Sequence, residues 1–142
     1  MIFAGQSRDQ LREAYRAAWR RYKQQHTLSP LDKQIIAVIS EHSEYHVIVE
    51  SSAADLANYS PRGGQLNPWL HMGLHLAIRE QVATDRPHGI AEVHAKLAAR
   101  AGGAHEAEHQ MLETLAEALW EAQRSGKPPD ESAYLERLKT LL

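Results

Sequence analysis

Apolar residues recur along most of the chain in steps of three and four, the spacing that lays one stripe along a helix, and no stretch reads convincingly as a strand. Ser7 and Gln10 have the spacing of a capping box, and Leu11, Ala14, Tyr15, Ala18 and Tyr22 then form a stripe, which predicts a first helix to about Gln25. His26 ends it, where an imidazole meets the last carbonyls and the helix dipole. Ser29, Pro30 and Asp32 supply a cap, a first-turn proline and a first-turn acid, predicting a second helix from Pro30 to about Glu50. On a helical projection Leu31, Ile35, Val38, Ile39, Tyr45 and Val49 fall within about 60° of His42, and His46 lies about 40° to its other side. Both histidines are therefore expected to face the core.

Residues 51 to 66 hold few periodic apolar positions and carry Ser, Asn, Pro and Gly-Gly, which predicts a long connection with a helical turn around Ala53 to Asn58. Asn67-Pro68 repeats the cap-then-proline start, and a third helix is expected from Trp69 to about Ala83, with His71 and His75 on the face of Leu74, Ile78 and Val82. Asp85-Arg86-Pro87 opens a fourth to about Ala101, stopped by Gly102-Gly103; His94 lies on its stripe with Ile90 and Leu97, and His88 lies off it as a surface residue. A fifth runs from about Ala104 to Ser125 and ends at Gly126, its broad inner face holding His105, Glu108, His109, Leu112 and Leu115. After Pro128-Pro129-Asp130 a last helix turns Tyr134, Leu135, Leu138 and Leu142 inward. The pattern predicts an all-α, single-domain bundle over residues 1–142, of about six helices, with helices two to five as its core.

Composition narrows the chemistry. A chain of 142 residues is of one-domain length and long enough to bury about 68 to 70% of its unfolded surface. The net charge of -2, with acids and bases interspersed, suggests neither nucleic acid nor an anionic membrane as a partner. No apolar run approaches the roughly 18 residues of a membrane span, and the N-terminal residues lack a charged leader followed by an apolar region, so the expectation is a cytoplasmic protein, with a homodimer left open. There is no cysteine, which excludes disulfides, thiolate zinc sites and iron–sulfur clusters and leaves imidazole and carboxylate as the strong metal ligands. No glycine-rich phosphate loop and no serine nucleophile motif is present.

The nine histidines are the anomaly, because six of them form three pairs four residues apart: His42 and His46 in HSEYH, His71 and His75 in HMGLH, and His105 and His109 in HEAEH. On a helix such a pair projects side by side, where one ion can bind both. A buried polar ring without a partner costs about 1 to 3 kcal/mol, so six inward imidazoles must be satisfied together. A shared transition metal ion does this, with Glu108 as the carboxylate of choice on the edge of the same face. The ligand types suit iron, zinc, manganese or nickel, with iron or zinc foremost, in a dinuclear centre with a bridging carboxylate or as one ion with further histidines behind its ligands. The gross pattern looks like hemerythrin-like and ferritin-like proteins, by analogy of architecture alone. An open position at the ion would allow oxygen or peroxide chemistry at iron, or water activation at zinc.

Two other readings stand beside this one. HEAEH matches H-E-x-x-H, the helical zinc motif in which the Glu, here Glu106, activates water as general base. Against it, Glu108 sets a charge where zinc peptidases usually have an uncharged residue, and no metzincin extension follows. The other is a non-catalytic interaction or pH-responsive module in which the buried histidines form a hydrogen-bond network that titrates near neutrality.

The run NPWLHMGLHLAIREQ, from Asn67 to Gln81, together with TDRPHGI, HEAEHQML and LWEAQRSGKPPD, resembles a family of small proteobacterial proteins catalogued as a domain of unknown function. The resemblance covers most of the chain. It implies a bacterial cytosolic protein and assigns no activity or catalytic residue.

Overall fold

A computed structural model describes residues 8–51 and 68–142. Seven α-helices are found among them: α1 (Arg8–Lys23), α2 (Pro30–Ser40), α3 (His46–Glu50), α4 (Pro68–Thr84), α5 (Ile90–Ala101), α6 (Ala104–Ser125) and α7 (Glu131–Lys139). No strand occurs among the described residues, so the all-α expectation holds. The Ser7 cap, most of the expected 51–66 connection and the Asn67 cap lie outside the described residues. No described helix is long and apolar enough to cross a membrane.

Capping chemistry accounts for most of the helix ends. Gln25 takes a left-handed conformation, φ 59°, and its N–H donates to the Tyr22 carbonyl while His26 N–H donates to that of Arg21, a Schellman closure of α1. At the start of α2 the Ser29 hydroxyl accepts from Asp32 N–H, and the Asp32 carboxylate accepts from Ser29 N–H, both at 3.0 Å. The guanidinium of Arg21 grips the same carboxylate at 2.7 and 3.1 Å, tying α1 to α2 and holding the Asp32 carboxyl below the usual carboxylate range.

The expected helix over 30–50 is broken, and the break has a local cause. In a continued helix His42 N–H would donate to the Val38 carbonyl. Instead the His42 side chain takes that acceptor, its Nδ1 lying 2.7 Å from Val38 O, while the backbone N–H shifts to Ile39 O at 3.0 Å. A side chain has outcompeted the backbone for a carbonyl. His42 is left non-helical (φ -125°, ψ 70°), a 3-10 turn covers Ser43–Tyr45, and helix resumes at His46 as α3.

The expected start at Asp85 also shifts. Asp85 closes α4 in a left-handed conformation, and its carboxylate then accepts from the N–H groups of Gly89 and Ala91 at 3.1 and 3.0 Å, so one residue ends α4 and caps α5. Those donors, that of Ala91 foremost, hold its carboxyl below the ordinary range. Exposed His88 donates to the same carboxylate at 2.9 Å.

The residues gather into two compact units, one up to Leu76 and one from Ala77 onward. In the first, Tyr15, Trp19, Ile35, Ile39, Trp69 and Met72 are the centre of a buried apolar cluster, each such side chain worth about 1.5 to 3 kcal/mol of transfer free energy. In the second, α5, α6 and α7 pack pairwise, burying Ile90, Leu97, Met111, Leu115 and Leu138. The Tyr134 hydroxyl donates to Gln81 at 2.8 Å, which anchors α7 to α4. Gly102, at φ 94°, ends α5 in a conformation that a side chain would strain.

Candidate metal centre

Helix α4 is unbroken through HMGLH, so the spacing of four delivers what it promises. The rings of His71 and His75 have centroids 4.9 Å apart, and their Nε2 atoms approach to 3.2 Å. Ligand atoms in a tetrahedral site with bonds of 2.0 to 2.1 Å stand about 3.3 Å apart, so this separation suits either an N–H···N hydrogen bond or a shared cation. His75 is fully buried and His71 partly so.

His42 joins these rings, with centroids 5.0 Å from His71 and 4.7 Å from His75. Tyr45 stacks on His42 at 5.3 Å, nearly parallel, and stands edge-on to His71 at 5.9 Å. A carbonyl only accepts, so the bond to Val38 O puts the His42 proton on Nδ1 and the ring's lone pair on Nε2. Metal-ligating histidines have this arrangement, one nitrogen donating to a carbonyl and the other directed to the ion.

His46 does not accompany its partner. The break at Ser40 turns its ring onto Trp19, centroids 4.8 Å apart, and its Nε2 donates to Ile39 O at 2.9 Å. Trp19 in turn donates to Glu50 at 3.0 Å.

In HEAEH, on α6, the rings of His105 and His109 lie 4.3 Å apart. Glu108, 3% exposed, accepts from Arg79 through both oxygens, at 2.8 and 3.2 Å. Arg79 is a partner that the spacing of the histidines does not single out. The missed signal was its position, four residues after His75 and eight after His71 on the same helix face. Glu106 is exposed.

Four of the six paired histidines form one group that could hold a metal ion: His42, His75, His105 and His109 each offer a ring nitrogen, and these atoms lie within 4.8 Å of one another. To reach tetrahedral separations the nitrogens would draw in by at most about 1.5 Å. His42 and His75 are buried, His105 is half-buried and His109 is exposed, so the group runs from the interior to the surface. Outside it lie exposed His26 and His88, and His94, whose buried Nε2 has no hydrogen-bond partner among the described residues.

Comparison with known proteins bears on the family rather than on this chemistry. A family model described as Domain of unknown function (DUF1841) matches residues 7–140. The chain belongs to the DUF1841 family. No curated protein and no solved structure matches it, and the analogy to hemerythrin-like and ferritin-like proteins finds no support there. The match runs from before α1 to beyond α7, so every histidine discussed above lies within the DUF1841 region.

Proposed function

We propose that this protein is a cytoplasmic metal-binding helical domain, residues 1–142 acting as one, in which His42, His75, His105 and His109 hold a transition metal ion, iron or zinc foremost. The observation that carries the reading is the gathering of four imidazole nitrogens within 4.8 Å. Two features support it. His42 has the tautomer of a ligand, and imidazole is the donor common to zinc, iron, copper and nickel sites. His71, whose Nε2 lies 3.2 Å from that of His75, would stand beside the site as a further imidazole. An ion with an open position would activate water if zinc, or oxygen or peroxide if iron.

Elemental analysis of protein purified without an affinity tag tests this directly. The expected result is a transition metal at close to stoichiometric content; less than about a tenth of an equivalent, with no rise in melting temperature on adding iron or zinc, removes the reading. Of single variants, His75→Ala and His109→Ala should each lose metal, while His26→Ala and His88→Ala keep it. Equal effects at all four would speak against a shared site.

A metal-free protein would favour the second reading, a buried histidine network serving as an interaction or pH-responsive module, for which the 3.2 Å bond between His71 and His75 is the supporting observation. A zinc hydrolase with Glu106 as general base is the lesser alternative. There, Glu106→Gln should retain zinc and abolish turnover, and retained cleavage rejects that role.

A further inference from the structure

The buried acids among the described residues are Asp32 and Glu108, and each is gripped by an arginine. The second case concerns the metal site. Glu108 lies on the helix that carries His105 and His109, three residues after the one and next to the other, so it is the carboxylate a metal in this group would be expected to recruit. Both its oxygens instead accept from Arg79, Nε at 2.8 Å and Nη2 at 3.2 Å, the forked pairing that fits a carboxylate best.

We infer, building on the metal reading above, that Arg79 is a specificity-determining residue: it withholds Glu108 from the ion and leaves a mononuclear, all-imidazole site for zinc or another late first-row divalent cation. The donor set argues for this. The group that could hold an ion contains four histidines and no carboxylate. Imidazole suits zinc, copper, iron and nickel, whereas carboxylate draws manganese, magnesium and calcium. Dinuclear centres in helical bundles are built around several inward glutamates. Here the one buried glutamate of α6 is already neutralised, and a bridging role would bring a second dication against a guanidinium.

The test compares untagged wild-type protein with Glu108→Gln, Arg79→Gln and the double variant, each dialysed against equal zinc and manganese and measured for bound metal. Wild type should retain one equivalent of zinc and little manganese, and Glu108→Gln should retain zinc with affinity within about threefold, since no ligand is lost. Arg79→Gln releases the carboxylate, so manganese retention relative to zinc should rise by about tenfold or more, and the double variant should return to the wild-type ratio. A merely structural role for the pair would not shift a metal ratio and then restore it. Two equivalents in wild type, loss of zinc in Glu108→Gln, or an unchanged ratio in a folded Arg79→Gln would each overturn the inference. If Arg79→Gln does not fold, the stoichiometry of wild type and the zinc content of Glu108→Gln decide. Wild type that binds neither metal overturns the underlying reading, a result distinct from all of these.

Discussion

HMGLH and HSEYH have the same spacing and different fates. On α4 the backbone ladder is intact through His71 and His75, so the two rings end 4.9 Å apart. Between His42 and His46 the ladder is interrupted, and the rings go to different neighbours, His42 to His71 and His75, and His46 to Trp19. The i, i+4 rule is a property of an unbroken helix, and a histidine is itself able to break one, because its ring nitrogen competes for the carbonyl one turn back. The same Nδ1–H···O bond that takes the carbonyl from the backbone leaves the lone pair of the His42 ring on Nε2.

The contrast can be pressed from both sides. The largest effect is expected from His75→Ala, which removes a fully buried ring from the intact pair; metal affinity measured by chelator competition should fall by more than about 100-fold, beyond the 10- to 100-fold typical of outer-shell changes. His46→Ala should do the reverse. It loses the bond to Ile39 O and the contact with Trp19, which should lower stability by about 1 to 2 kcal/mol in urea titration, while metal content stays at the wild-type value. Loss of metal on His46→Ala would return that residue to the site.

The far end of α2 offers a smaller, pH-dependent control. Hydrogen bonds from Arg21, set against burial, hold the folded-state value of Asp32 below the unfolded one, so its stabilisation is complete above about pH 4 and is lost as pH falls through the lower folded value. Asp32→Asn should flatten that acid-side fall in a melting-temperature profile without altering metal content. His88→Ala, at an exposed ring bonded only to Asp85 among the described contacts, should change stability least, within about 0.5 kcal/mol.

Helix identities were legible wherever local chemistry decides them. Ser29-Pro30-Asp32, Gly102 and Gly126 act through bonds or dihedrals within a few residues, and all three sit where a helix begins or ends. The break at His42 was not legible, since residues 30 to 50 have good helical periodicity and the outcome turns on which donor wins one carbonyl. Nor was the commitment of Glu108, because its partner stands 29 positions away. The histidines were legible as a set while their division was not: spacing singled out six, and packing gathers four.

The closure of α1 leaves something unspent. Gln25 holds a left-handed backbone that disfavours any Cβ, at a position where most helices of this ending carry glycine. The chain therefore sits below the stability its own architecture allows, and one glycine at that turn should raise the urea midpoint by the equivalent of about 0.5 to 1 kcal/mol. Gln25 stands just beyond α1 and outside the group of four histidines, so this turn can be stabilised without touching any of those imidazoles.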